Sequence, residues 1–109
     1  GNFYSEERTS AAAANLTINN DGVKESKILT FELTPSANGV TVKVGPDTLI
    51  IKNKNNNKLI IDFEKKTIKQ NGIDVERDLN SKWGVLKQGQ NNIAVTNASG
   101  KINYRVVVG

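Results

Sequence analysis

Apolar and polar residues alternate along most of this chain, and the alternation is clearest within residues 58–93. Within residues 59–63 a leucine, an isoleucine and a phenylalanine share one face, with the two-residue period of a half-buried β-strand. A second short strand is predicted over residues 67–70, followed by Asn71-Gly72. This dipeptide favours a type I′ turn, because both central residues of that turn need a positive φ angle. The pattern predicts an antiparallel meander.

Similar alternation predicts more short strands on both sides of this meander. They cover residues 12–18, 27–33, 40–44, 48–51, 93–96 and 102–108. Residues 48–51 are apolar on both faces, which predicts a central position in a sheet. Clusters of Gly, Pro, Asn and Ser between the segments indicate turns. The polar loop 53–58 is interpreted as a hairpin tip, with a sugar-contacting asparagine loop as the alternative.

The number and spacing of these segments indicate the fold class. About eight or nine short strands, with no helix longer than one turn, are typical of an all-β sandwich or barrel. We favour an antiparallel β-sandwich of the jelly-roll kind. Residues 11–109 are predicted to form this single domain, and a chain of this length can bury a modest core. Residues 1–10 are polar and aperiodic, and we interpret them as a linker or flexible arm.

Composition narrows the possible chemistry. The 109 residues contain no histidine and no cysteine, which excludes Ser-His and Cys-His nucleophiles, thiol chemistry and disulfides. The net charge is +4, but the lysines are interleaved with acidic residues, so we favour solvated strand faces over a polyanion-binding surface. Few aromatic residues accompany them, which argues against a nucleic-acid partner. No apolar run is long enough to span a membrane, and no cofactor is predicted.

Two groups of acidic residues are candidates for chemistry. Asp62 and Glu64 lie two residues apart, but the paired carboxylates of glycosidases come from facing elements with a set gap. Asp74, Glu76 and Asp78 alternate and offer the oxygen ligands that Ca²⁺ prefers, but their spacing matches no EF-hand loop. We therefore interpret both groups as charged strand or turn surfaces. The prediction is that the chain has no catalytic residue and no metal ligand, and that it is not an enzyme.

Trp83 is the candidate for a ligand contact. An exposed tryptophan on a β-sandwich can stack on a sugar ring. Because Trp83 is followed by Gly84-Val85-Leu86 and a turn, we favour a second interpretation, in which it plugs one end of the sandwich. Tyr104 lies on the apolar face of the last predicted strand and is expected to belong to the core.

Several motifs, taken in order, resemble the C-terminal domain of the phage distal tail protein family. They are a strand ending in Ile-Asp, a lysine-bearing turn, a short strand into Asn-Gly, an aromatic-X-X-Leu motif and an X-Gly-X-Asn-X-Ile turn. The matching residues are Asp62, Asn71, Gly72, Trp83, Leu86, Gly89 and Asn92. The chain has Gln88-Gly89 where the family usually has Pro-Gly, and an extra residue lies near Asn91-Asn92. The resemblance spans residues 15–108.

The resemblance implies a galectin-like β-sandwich at the tail tip of a siphophage or prophage virion that assembles in the bacterial host cytoplasm. In that family an N-terminal half forms a hexameric ring between the tail tube and the baseplate. The galectin-like half decorates the periphery of this ring and can carry receptor-binding proteins. The implied partners are other tail and baseplate proteins, with a homo-oligomeric ring for the full-length protein and a monomer for this fragment. The matching residues are then structural turn and core positions.

Three functions are compatible with a domain of this kind. The predicted one is a virion structural domain that makes protein–protein contacts in the tail-tip hub. The alternative is a carbohydrate-binding module that contacts host cell-wall polysaccharide, with Trp83 as its best residue. An enzyme is disfavoured because histidine and cysteine are absent. A galectin-like fold does not by itself make a lectin, since one fold serves many functions.

Overall fold

Ten β-strands and no helix are present in the computed structural model, which describes residues 4–109. The strands are β1 (Tyr4–Ala12), β2 (Leu16–Asn20), β3 (Leu29–Pro35), β4 (Thr41–Val44), β5 (Asp47–Ile50), β6 (Leu59–Asp62), β7 (Thr67–Gln70), β8 (Ile73–Asp74), β9 (Gly89–Thr96) and β10 (Ala98–Val108). Since residues 4–109 hold no helix, none of them offers a helical membrane span.

The strands form two antiparallel sheets. The six-stranded sheet has the order β1-β10-β3-β6-β7-β8, and the four-stranded sheet has the order β2-β9-β4-β5. Every pair of neighbouring strands is antiparallel. The prediction of an all-β antiparallel β-sandwich is confirmed.

A single apolar core fills the space between the two sheets. In β3 the alternate residues Leu29, Phe31 and Leu33 are fully buried, as their spacing predicts. Val42 of β4 faces them from the other sheet and is also fully buried. The rings of Phe31 and Phe63 pack with their centroids 5.3 Å apart. Each large apolar side chain buried in this way stabilises the fold by about 1.5–3 kcal/mol, so the core is the main reason that the sheets stay together.

Tight turns connect neighbouring strands where the sequence predicts them. Asn71 and Gly72 join β7 to β8 with φ angles of 50° and 76°, which confirms the prediction that both residues adopt positive φ. Asn97 alone joins β9 to β10 with a φ of 62°. β10 therefore begins at Ala98, earlier than the strand predicted over residues 102–108.

The first strand differs from the predicted arm. Tyr4–Ala12 forms β1, which pairs along its whole length with β10. The strand predicted over residues 12–18 is wrong, because the chain leaves the first sheet after Ala12 and enters the second at Leu16. The part of the predicted arm at residues 1–3 lies outside the described residues. A linker role for residues 1–10 in a longer protein stays a prediction.

The position of β5 also differs from the prediction. We expected a central strand, but β5 lies at the edge of the four-stranded sheet. A non-strand segment covers this edge: the Asp78 backbone N–H donates to the Ile50 carbonyl oxygen at 2.8 Å, and the Lys82 N–H donates to the Thr48 carbonyl oxygen at 2.9 Å. Ile50 is half-buried as a result, which explains why both faces of this strand carry apolar residues.

The loop at residues 53–58 is not the hairpin tip that we predicted. It follows β5 of the four-stranded sheet and precedes β6 of the six-stranded sheet, so it carries the chain from one sheet to the other. A crossing of this kind has to satisfy its backbone polar groups without a neighbouring strand. The Asn53 side chain does so here, through hydrogen bonds to the backbone of residues 37–40 and 55.

Candidate functional site

Trp83 packs against side chains of its own chain. Its ring meets the ring of Phe63 edge-on, with centroids 4.9 Å apart and an interplanar angle of 89°. The Arg77 guanidinium lies 5.8 Å from the centroid of the Trp83 ring, within range of a cation–π contact. The Trp83 Nε1 atom is buried and has no hydrogen-bond partner among the described residues. The residue is half-buried, and these contacts reduce the ring surface that a sugar could use.

Leu86 joins the loop before β9 to the loop after β2. It is fully buried, and its backbone pairs with Ser26 through two hydrogen bonds of 2.7 and 2.8 Å. The buried side chain of Asn20 strengthens this junction, because its Nδ2 atom donates to the carbonyl oxygens of Leu86 and Lys24 at 3.1 Å each. Its Oδ1 atom accepts a hydrogen bond from the Gly22 N–H at 3.0 Å. One asparagine thus fixes two loops that are distant in sequence.

Asn91 holds the turn that leads into β9. Its Oδ1 atom accepts from the Lys87 N–H at 2.9 Å, and its Nδ2 atom lies within hydrogen-bond distance of three carbonyl oxygens. They belong to Lys87 at 2.8 Å, Gly89 at 3.0 Å and Ile18 at 3.3 Å. Gly89 itself has a φ of 87°, which favours glycine. Asn91 is buried, so the side chain that organises this turn belongs to Asn91.

Asn92, which we had matched to the family asparagine, is exposed and takes no part in these hydrogen bonds. Its backbone lies in β9 opposite Thr17, and its carbonyl oxygen accepts a hydrogen bond from the Gly45 N–H at 2.9 Å. The sequence contained a signal that we missed, since Asn91 occupies the fourth position of the X-Gly-X-Asn-X-Ile motif. The match to Asn92 was therefore shifted by one residue from the asparagine of the motif.

Asn53 is the third buried asparagine and the one that supports the sheet-to-sheet crossing. Its Oδ1 atom accepts hydrogen bonds from the Gly39 and Val40 N–H groups at 2.9 and 3.1 Å. Its Nδ2 atom donates to the Ala37 and Asn55 carbonyl oxygens at 3.2 Å each. The amide is therefore occupied by backbone and points away from solvent. The sequence signal for this role is weak, because asparagines at 53 and 55–57 look alike.

The remaining predicted positions lie in turns. Asp62 ends β6, and its Oδ1 atom accepts from the Lys65 N–H at 3.0 Å, which closes the turn to β7. Asn71 and Gly72 form the tip of the next hairpin. Glu64 is exposed and lies beyond the end of β6, so it does not share a strand face with Asp62. These residues do not converge on Trp83, Leu86 or Asn91 to make one pocket.

The acidic side chains at residues 74–78 do not gather around a common point. No group of three or more potential metal-binding side chains occurs among residues 4–109. The Asp74 carboxylate lies 3.9 Å from the Lys69 Nζ atom on the neighbouring strand. Glu76 is held by its backbone, whose carbonyl oxygen accepts from the Lys52 N–H at 2.8 Å.

The clearest electrostatic site is a polar cluster on the outer face of the six-stranded sheet. The Glu32 carboxylate lies 3.2 Å from the Lys101 Nζ atom and 3.8 Å from the Lys58 Nζ atom. It also accepts a hydrogen bond of 3.0 Å from Asn103. The hydrogen bond from Lys101 is the largest cause that holds the pKa of Glu32 below its ordinary value, with Asn103 and Lys58 adding to it. The cluster ties β10, β3 and the start of β6 together.

A second polar cluster lies on β1 and the turn after β2. The Arg8 guanidinium lies 2.7 Å from the Asp21 carboxylate and 3.1 Å from the Glu6 carboxylate. Hydrogen bonds to Asp21 and then Glu6 raise the pKa of Arg8 above its ordinary value. These groups are largely exposed to solvent, so their contribution to stability is small. Because β1 buries only Ala12, its position depends mainly on pairing with β10.

The described residues thus define a two-sheet β-sandwich whose buried polar side chains serve the backbone. The chain belongs to the siphovirus-type tail component family, because residues 22–107 match the model of the C-terminal domain of that family. No curated protein sequence matches the chain at a significant level.

A solved structure supports the same fold. The crystal structure of the SPP1 Dit protein, described as a paradigm of the hub adsorption apparatus in Gram-positive-infecting phages, matches with a TM-score of 0.74 and 14% sequence identity. The match covers 95% of this chain and 48% of that protein, so the chain spans about half of its length. At this identity the likeness shows the fold. The predicted family is confirmed, and the chain is a domain of a siphovirus-type tail component.

Proposed function

We propose that this domain is a structural part of the tail-tip hub of a siphophage or prophage and that it acts by contacting other tail and baseplate proteins. The observation that carries the proposal is the match of almost the whole chain to the fold of a hub protein. The family match supports it, since that family consists of tail components. We also propose that this domain is not an enzyme, because its family consists of tail components.

The use of polar side chains supports the same proposal. Asn20, Asn53 and Asn91 are buried, and their amides hydrogen-bond to the backbone of neighbouring loops. Such residues are expected in a rigid building block that has to present its surface in one fixed shape. We propose structural roles for the seven positions that match the family motifs. They are Asp62, Asn71, Gly72, Trp83, Leu86, Gly89 and Asn92, with the Asn92 role limited to its backbone.

We further propose that the full-length protein forms a homo-oligomeric ring through its other half, and that it assembles into the virion in the host cytoplasm. The described half then lies at the periphery of the ring. The resemblance to distal tail proteins supports this proposal, and the match to 48% of the solved hub protein is consistent with a second half.

Immunogold electron microscopy tests the position in the virion. Antibodies raised against this chain are applied to particles of the phage that encodes it, with antibody preabsorbed on the purified chain as the control. We expect gold only at the distal end of the tail. Gold along the tail shaft or on the capsid, or no gold on particles that retain their other tail proteins, would contradict the proposal.

The carbohydrate-binding alternative depends on Trp83 and stays a prediction. Its contacts with Phe63 and Arg77 give this alternative no specific support. Iodide quenching of the single tryptophan, with and without cell-wall polysaccharide fragments, separates the two functions. We expect Trp83 to be partly protected from iodide and indifferent to polysaccharide. Protection that increases with added polysaccharide would favour a wall-binding module.

A further inference from the structure

The two most exposed large apolar side chains among residues 4–109 lie on one short stretch after β7. Leu79 is 100% exposed and Ile73 is 71% exposed. Burial of apolar surface is the main favourable term in folding and association, so a fully exposed leucine gives up this contribution in the isolated domain. Single exposed apolar residues are common, but here two of them flank the same depression.

That depression consists of two adjoining hollows. One has a volume of about 340 Å³ and includes Ile73 in its lining, and the other has about 510 Å³ and includes Leu79. Both are lined by Lys52, Val75 and Glu76, so they form one continuous surface, which we call the edge trough. Val75 is half-buried and packs against the core, which gives the trough an apolar floor between two apolar rims.

The stretch that carries Leu79 is held firmly by the four-stranded sheet. The Lys52 N–H donates to the Glu76 carbonyl oxygen at 2.8 Å, and the Asp78 N–H donates to the Ile50 carbonyl oxygen at 2.8 Å. The Ile50 N–H donates to the Ser81 hydroxyl oxygen at 2.9 Å on the far side of Leu79. Leu79 is therefore presented by a fixed turn, which lowers the entropy that a contact would cost.

The charges around the trough are balanced, with two lysines on one segment and a net negative charge on the other. Lys52 and Lys54 follow β5, while Asp74, Glu76 and Asp78 lie on the stretch after β7, where Arg77 also lines the trough and offsets one of the three acids. Of these six side chains, only Asp74 has an ion pair among the described residues. A two-fold contact between identical surfaces requires each surface to complement itself. Turning one copy over the other brings the lysine side of each trough to the acidic side of its partner.

We propose that the edge trough is a self-association surface that binds a second copy of this chain. Leu79 of one copy lies over the Val75 floor of the other, and Lys52 and Lys54 face the partner's acidic residues. The contact involves about ten side chains from each copy, which places it at the small end of specific interfaces. We expect a dissociation constant on the order of 1 mM for the isolated domain. The proposal is independent of the place of the protein in the tail.

In an oligomer held together by another part of the protein, neighbouring copies would meet at a high effective concentration. Linked modules commonly reach effective concentrations on the order of 1 mM. A contact too weak to join isolated domains would then be substantially populated. Because a two-fold contact joins two copies and cannot repeat around a ring, the expected role of the trough is to fix copies of this domain in pairs.

Amide chemical shifts of the ¹⁵N-labelled chain, recorded from about 20 μM to about 1 mM, test the proposal over the range set by the expected dissociation constant. Concentration-dependent shifts should be confined to residues 52–54 and 73–79. L79S should raise the dissociation constant roughly tenfold or more, because the burial of one leucine is lost. V23S is the matched control, since Val23 is 49% exposed and pairs with Val107 of β10, which is far from β8 in the strand order.

Charge reversal gives a second test that does not depend on Leu79. K52E and E76K should each weaken self-association, whereas an equimolar mixture of the two variants should associate more tightly than either alone. Shifts that are absent up to about 1 mM, that lie elsewhere, or that persist unchanged in L79S would overturn the proposal. A different occupant of the trough, such as another tail protein, would give the first of these outcomes.

Discussion

Replacement of Asn91 by alanine is the sharpest test of how this domain is held together. The side chain is buried and bridges the turn at residues 87–89 to β2 of the same sheet. N91A removes the acceptor of the Lys87 N–H and the donor to three carbonyl oxygens. An amide group has two hydrogens, so about three hydrogen bonds are lost in total.

The expected cost follows from these contacts. Each hydrogen bond contributes about 0.5–1.5 kcal/mol net, and a buried group left without a partner costs about 1–3 kcal/mol. Lys87 is exposed and its backbone can recover water, so the individual terms do not add fully. We expect N91A to lower the free energy of unfolding by about 2–4 kcal/mol. For a domain of this size that corresponds to a decrease of roughly 10–20 °C in melting temperature.

The adjacent residue supplies a matched control. Asn92 has the same side chain but is exposed and has no side-chain hydrogen bond among residues 4–109. N92A should therefore change stability by less than about 0.5 kcal/mol. Urea unfolding followed by Trp83 fluorescence and by circular dichroism gives both free energies, provided that the denaturant slope is unchanged. Equal losses for N91A and N92A would refute the assigned role of the buried asparagine.

N91D separates the two halves of the interaction. It keeps an acceptor for the Lys87 N–H but replaces the donor with a carboxylate oxygen that faces the carbonyls of Ile18 and Gly89. Burial of a carboxylate oxygen against carbonyl oxygens is costly, because both groups are acceptors and carry negative partial charge. N91D should therefore be less stable than N91A at neutral pH. A variant more stable than N91A would mean that donation to these carbonyls contributes little.

Three further substitutions test other parts of the fold. G100A should lower the free energy of unfolding by about 2–4 kcal/mol more than G39A does. The reason is that a Cβ atom at Gly100 would overlap the Glu32 carbonyl oxygen, whereas Gly39 has open space around it. Thermal unfolding measures both losses, and equal losses would contradict the close approach of β10 to β3. Since Lys101 holds the pKa of Glu32 below its ordinary value of 4.5, the cluster stabilises the fold above about pH 4.5 and loses this effect as the pH falls through the lowered pKa. Urea midpoints between about pH 6 and pH 3 should therefore decrease less in E32Q than in the parent, and parallel curves would argue against the cluster. W83F should lower the free energy of unfolding, measured by circular dichroism, by about 1–3 kcal/mol. The smaller ring loses packing against Phe63 and Arg77, whereas the buried Nε1 has no partner to lose. No loss would contradict the packing of Trp83 against these two residues.

Local patterns in the sequence predicted the fold class and most of the central strands. The alternation in β3 and β6 and the Asn71-Gly72 turn depend on neighbouring residues, and the structure follows them closely. The family resemblance combined several such local patterns, and the match over residues 22–107 confirms it. These features were predictable because each is specified within a few residues.

The features that escaped prediction depend on contacts between distant residues. β1 has no apolar alternation, because its inner face carries the ion-paired Arg8 and its stability comes from pairing with β10. The apolar residues of β5 indicated a central strand, but a segment about thirty residues later covers its edge. Asn91 reaches Ile18, 73 residues earlier. A single asparagine in a polar run gives no local sign that it will be buried.

The sheet edges indicate how such a domain can contact other proteins. An open edge strand invites pairing with another chain, and proteins protect these edges with charges, short strands or covering segments. β5 is covered by the Leu79 stretch, β8 has only two residues, and β1 carries Glu6, Glu7 and Arg8 in succession. Addition of a partner strand is disfavoured at these three edges. The stretch that protects β5 also presents Leu79, so one structural feature both prevents uncontrolled strand pairing and supplies a specific, side-chain-mediated contact.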